Sequence, residues 1–211
     1  MKLHRLLLIA LLAAITVSWF PKAAFWKSNN HSIKVKRGVM VKNPSLEKLK
    51  QKAEAAKKFT AAKGFNQHTV FFIEMGLASG ANRFFIYDLK KDSILHKGLV
   101  AHGNCYEYWL EGRRYSNVVG SGCTSLGKYR IGAPYTGKWG YSYKLHGLDS
   151  SNNNAFERTV VLHGHSCVPE TEIADEICQS NGCPTVSPGF LQQLKAIINT
   201  SSKPVLLWIY E

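Results

Sequence analysis

The sequence predicts a mainly β fold with a few helices. From Thr69 onward, short apolar runs of strand length recur between turns rich in Gly, Asn and Ser. Helical patterning is confined to three stretches, near 45–63, 169–178 and 188–198. Nowhere do strands and helices alternate long enough to suggest a parallel α/β sheet.

Pro44-Ser45 opens the first helix, with Ser45 as its expected cap. Leu46, Leu49, Ala53 and Ala56 fall on one face, and Gly64 ends it. That apolar stripe is narrow, so the helix is expected to pack against the body. Val70-Phe71-Phe72-Ile73 is a first strand and Arg83 to Asp88 a second. Ile94 to Ala101 is a third, joined to the second by a turn at Lys90 to Ser93. The segment 102–124, rich in Tyr, Arg, Ser and Gly, is irregular. Lys128 to Ile131 and Tyr141 to Leu145 are half-buried strands, and Thr159-Val160-Val161-Leu162 is a continuous apolar strand that delivers His163. Pro169-Glu170-Thr171-Glu172 has the proline and acids of a first helical turn, which predicts a helix to about Cys178. A last helix is expected at 188–198 and a closing strand at 204–210.

The formal charge of +13 is concentrated at one end. Residues 1–68 hold 14 Lys and Arg against Glu47 and Glu54, whereas residues 69–211 hold 13 bases and 12 acids. The basic end suits an anionic envelope or membrane surface, and equally a solvated lysine-rich helix. Bases are not interleaved with aromatics as in a nucleic-acid groove, so no nucleic-acid partner is expected. Lys2, His4 and Arg5 precede an apolar run from Leu6 to Phe20, short for a membrane span and suited to a signal core. Residues 1–25 are therefore read as a signal peptide or membrane anchor, 26–68 as a basic linker and helix, and 69–211 as the chemical body. An exported, envelope location follows. Five cysteines in an exported chain leave at least one unpaired.

The chemistry gathers in 163–188, which holds His163, His165, Cys167, Cys178 and Cys183. Cysteine is a strong neutral-pH nucleophile and histidine its natural base. In Ser180-Asn181-Gly182-Cys183-Pro184, Gly182 leaves room beside the sulfur, so backbone N–H groups at 182 and 183 can serve a developing oxyanion. Pro184 biases Cys183 toward an extended backbone. His163, at a strand end, can be held firmly while facing a cleft; His165 is the competing base. The structural alternatives are a turn or disulfide cysteine and a satisfied core histidine. A zinc-binding structural module or a non-catalytic wall-interaction protein is the alternative from another class, although the two-residue cysteine spacing of common zinc sites is missing.

His163-Gly164 followed by Ser180-Asn181-Gly182-Cys183 resembles the His-Gly…Ser-x-Gly-Cys signature of L,D-transpeptidases, the YkuD-like peptidoglycan enzymes. The Gly-Cys-Pro ending is similar to a murein L,D-transpeptidase branch. Phe85 to Leu89, Leu99 to Gly103, Ser116-Asn117, Ser125 to Gly127 and Gly140 to Ser142 extend the likeness over about 45–195. The resemblance implies a β-sandwich-type catalytic domain and acyl transfer on tetrapeptide stems of peptidoglycan, without cofactor or metal. Cys183 would be the nucleophile and His163 its base, with Gly182 and Ser180 shaping the oxyanion turn. An amine acceptor gives a 3–3 crosslink; water gives an L,D-carboxypeptidase. The arginine that usually follows the cysteine is missing, so Arg158 is expected to read the substrate carboxylate, with His165 and His102 as further substrate-binding residues. His146-Gly147 could be mistaken for the catalytic His-Gly, but lies 37 residues from Cys183. Cys167 with Cys178, and Cys105 with Cys123, are the expected disulfides, which leaves Cys183 free.

Overall fold

The run Val70-Phe71-Phe72-Ile73 is apolar at every position because the strand that contains it, β1 (Thr69–Glu74), is covered on both faces. Side chains alternate across a strand, so Phe71 and Ile73 enter the main core while Val70 and Phe72 meet helix α1 (Pro44–Lys63). The structure, a computed structural model, describes residues 44–211. The expected leader at 1–25 and the linker before residue 44 lie outside the described residues. Among the described residues, no helix is long and apolar enough to cross a membrane.

After β1 come β2 (Phe84–Asp88), β3 (Ser93–Gly98), β4 (Val100–Ala101), β5 (Gly127–Gly137) and β6 (Gly140–Gly147). Then follow β7 (Val161–Gly164), β8 (Thr185–Val186), α2 (Pro188–Thr200) and β9 (Leu206–Tyr210). The mainly β expectation with a few helices describes this architecture. The strands form one sheet in the order β3-β2-β1-β9-β5-β6-β7-β8-β4, antiparallel except at β1–β9 and β7–β8. Strands β3 and β4 close opposite ends of that order, yet only Leu99 separates them in the chain. The sheet must therefore roll until its edges meet. Its concave side encloses the main core, to which α2 contributes Phe190, Leu191 and Leu194.

Helix α1 lies on the convex side, where Leu49, Ala53 and Ala56 pack against Val70, Phe72, Phe85 and Leu206. The expected docking of its narrow stripe is thus met, and Gly64 ends it at φ +73°. Ser45 is within the helix rather than before it, and its hydroxyl donates to Glu74 at 2.7 Å. Helix α2 forms where a last helix was expected; Ser187 caps it by accepting from the Phe190 N–H, and Pro188 follows.

Two expected elements differ. The third strand is two, split at Leu99, because Gly98 passes the Phe190 ring too closely for a side chain and Leu99 turns into a separate small cluster with Ala101, Val168 and Ile177. The helix expected at 169–178 is instead a loop. A disulfide joins Cys167 to Cys178, and the Ile173 N–H donates to the Gly80 carbonyl. The acids that looked like a first helical turn cap other backbone: Glu170 accepts from Gly189 N–H and Ser187 Oγ, and Glu172 accepts from Asn82 N–H. Tertiary partners outbid a local helix of that length.

Candidate active site

Strands β7 and β8 run parallel, with His163 opposite Thr185. Cys183 lies two residues before Thr185, in the bend that leads into β8, and Cys183, Thr185 and His163 line one cleft. The Val161 N–H points at Cys183 Sγ at 3.5 Å. The expected disulfides Cys105–Cys123 and Cys167–Cys178 both form, and Cys183 is the free cysteine.

The turn before Cys183 is held by Ser180, whose hydroxyl donates to the Cys183 carbonyl at 2.7 Å and accepts the Gly182 N–H at 3.2 Å. Gly182 has φ +103°, and a Cβ there would stand 2.7 Å from the Cys123 carbonyl oxygen, so only glycine fits. The sequence offered the N–H groups of both 182 and 183 to an oxyanion. Since Gly182 donates to Ser180, the Cys183 N–H is the one without an acceptor among the described residues.

His163 is buried, with 5% exposure. Its Nδ1 is 3.2 Å from the Gly164 carbonyl and its Nε2 is 2.9 Å from Thr185 Oγ1. A carbonyl only accepts, so Nδ1 carries the proton and Nε2 the lone pair. In this arrangement the Thr185 hydroxyl donates to Nε2; its alternative acceptor is the Cys183 carbonyl at 3.3 Å. Burial lowers the ring's pKa, the Gly164 carbonyl opposes this, and nearby His165 lowers it further. Burial pushes the Cys183 thiol up, partly offset by the Val161 N–H and the Arg158 charge. Both groups are neutral at pH 7: a thiol that needs a base, and an imidazole free to be one.

These residues open into a cleft of about 560 Å³. Trp139, in the tight turn between β5 and β6, stacks on the His163 ring at 5.5 Å and meets the His165 ring edge-on at 5.8 Å. His165 turns its Nδ1 to the Cys167 N–H at 3.1 Å, holding the turn after β7. Arg158 lines the cleft, but all four of its terminal N–H groups are engaged. They reach the Ser116 carbonyl, Ser125 Oγ, Ser121 Oγ and the Cys123 carbonyl. Its expected part as carboxylate reader is thus not what its bonds do; it braces the 116–125 loop beneath Gly182.

His102, also expected at the substrate, is buried at 1% exposure and is not among the cleft's lining residues. Its Nδ1 accepts from Arg83, and burial with the charges of Arg83 and Arg113 pushes its pKa down to about 4. Its carbonyl does serve the site, accepting the Ser180 N–H at 2.8 Å. His146 stacks on Phe156 and is likewise absent from the cleft lining. Among the described residues no cluster of three His, Cys, Asp or Glu is arranged to hold a metal ion.

Sequence reasoning missed Thr185, Trp139 and Lys138. Thr185 had a usable signal, lying two residues after the cysteine, just past Pro184. Trp139 and Lys138 had none, because their place in the cleft wall depends on how β6 pairs with β7.

The L,D-transpeptidase catalytic domain family matches residues 41–210. No curated protein matches the chain. Among solved structures, a point mutant of the helical cell shape determining protein Pgp2 from Campylobacter jejuni is 12% identical, with a TM-score of 0.46 over 68% of this chain and 47% of that one. The L,D-transpeptidase from Mycobacterium smegmatis is 10% identical, with a TM-score of 0.40 over 68% and 59%. That from Xylanimonas cellulosilytica is 15% identical, with a TM-score of 0.37 over 74% and 69%. This chain thus spans about half the length of the first of these proteins. The match over 41–210 decides the identity: the chain belongs to the L,D-transpeptidase catalytic domain family.

Proposed function

We propose that the protein is a peptidoglycan L,D-transpeptidase that joins tetrapeptide stems through a Cys183 acyl-enzyme. The observation that carries this is the free Cys183 thiol lining the same cleft as the hydrogen-bonded His163–Thr185 pair. Thr185 turns its hydroxyl to the Cys183 carbonyl, freeing His163 Nε2 to take the thiol proton. The thiolate attacks the carbonyl before the terminal D-residue, and the Cys183 N–H stabilises the oxyanion. The C–N bond breaks, the imidazolium returns its proton to the departing amine, and a thioester remains. An amine of a second stem then attacks, His163 takes its proton, and Cys183 leaves as the 3–3 crosslink forms.

Water in place of that amine would make the same site an L,D-carboxypeptidase. Purified protein incubated with disaccharide-tetrapeptide separates the readings by product mass: a crosslinked dimer marks transfer and a tripeptide marks hydrolysis. No change of mass overturns both. The zinc-module reading loses two of its five donors to the Cys167–Cys178 disulfide, and stoichiometric zinc in the purified protein would restore it. The apolar run from Leu6 to Phe20 supports export, with action at the cell envelope; protease protection of the chain in intact cells tests that placement.

A further inference from the structure

The geometry points to Lys138 as the residue that binds the terminal carboxylate of the acyl donor, so that the enzyme selects stems ending in a free acid. This rests on the acyl-transfer reading above. The charged side chains lining the cleft are Lys138 and Arg158, and no carboxylate is among the lining residues. The cleft therefore presents positive charge to its ligand, which fits an anionic one. Arg158 has spent its terminal N–H groups on the 116–125 loop. Lys138 has no ion-pair partner among the described residues. Its ammonium stands 4.9 Å from the centre of the Trp139 ring, the ring that also stacks on His163 at 5.5 Å.

That shared platform fixes the scale. Lys138 Nζ lies within about 10 Å of the base, since both sit on one indole. In a donor stem the terminal carboxylate is only about 4–5 Å beyond the carbonyl that Cys183 attacks, by ordinary backbone dimensions. A flexible ammonium on a tight turn covers the remaining gap, and the three donors of a lysine suit a carboxylate that must leave again with its residue. Trp139 and Lys138 thus form a rim: the indole covers the base and the ammonium holds the leaving end.

The test compares wild type, Lys138→Met and Lys138→Arg on disaccharide-tetrapeptide with a free terminal acid and on the same donor with a terminal amide. Binding to the Cys183→Ala variant, measured by calorimetry, gives a readout apart from turnover. Lys138→Met is expected to raise KM for the acid about tenfold, with kcat within about twofold and Lys138→Arg restoring it, as loss of one charged contact predicts. Wild type should show the same tenfold loss on the amide, to which Lys138→Met adds nothing. An unchanged KM for the acid in Lys138→Met, or equal losses on acid and amide, overturns the assignment while the function stands. A wild-type chain that neither binds nor processes the tetrapeptide overturns both.

Discussion

At the scale of single residues, the site is a neutral thiol beside a neutral imidazole. His163 is held below the ordinary histidine value and Cys183 above the ordinary thiol value. The proposed mechanism requires the His163 lone pair, so the acid limb of the kcat/KM profile should fall below pH 6.5, the unperturbed value, and not above it. A limb above that point would mean the proton sits elsewhere. Cys183→Ala should lower turnover by about a thousandfold or more, and His163→Ala by about a hundredfold or more. His165→Ala should cost far less, since its ring nitrogen serves the Cys167 N–H; the reverse order in single-turnover assays would exchange the two histidines. Thr185→Val removes the hydroxyl that touches both His163 and Cys183, so it should shift the pH dependence of Cys183 alkylation while Thr185→Ser leaves it in place. An unshifted profile in Thr185→Val would remove Thr185 from the proton path.

At the scale of elements, the 180–184 turn and the two loops around it stand or fall together. A Cβ on Gly182 would overlap the Cys123 carbonyl, Arg158 grips the same carbonyl, and Cys123 is tied to Cys105. Gly182→Ala combines a left-handed φ with a steric overlap, and should cost about 1–3 kcal/mol in thermal unfolding as well as activity. Full stability in that variant would show the turn to be more adaptable than its contacts imply. The loop 169–177 is held by Cys167–Cys178, and closing a loop of that length is worth at most about 3 kcal/mol. The double variant Cys167→Ser, Cys178→Ser should therefore lower the melting temperature without removing the thiol that alkylates at 183.

Over the whole molecule, the buried Arg83–His102 pair links the fold to pH. Arg83 is fully buried, donating to the carbonyls of Val100 and Leu77 and to His102 Nδ1. His102 has a folded pKa of about 4 against 6.5 for the free side chain, so the unfolded chain binds the extra proton first. The stability this neutral ring contributes is full above pH 6.5 and is lost as the pH falls toward 4, on the order of 3 kcal/mol in all. Urea unfolding at pH 7 and pH 5 should show wild type losing stability where His102→Gln, which keeps an acceptor for Arg83, loses less. Parallel losses in the two proteins would place the acid sensitivity elsewhere.

The sequence by itself determined the strands with local apolar patterns, the helix at 188–198, the free cysteine implied by an odd count, and the His163-Gly164 and Ser180 to Cys183 pair. Each is a short-range signal: an apolar run, a count, a motif of consecutive residues. The tertiary structure decided what depends on distant partners. The acids at 170 and 172 serve α2 and Asn82 instead of a helix of their own. The strand expected at 94–101 divides because its two halves belong to opposite edges of a rolled sheet. The His102 and Arg158 side chains are engaged by Arg83 and by the 116–125 loop. Trp139 reaches His163, with Lys138 beside it in the cleft wall, only because β6 lies beside β7. Local chain preferences are written in consecutive residues; the partners of a buried charge or a cleft wall are set by pairings across tens of residues, which no local pattern encodes.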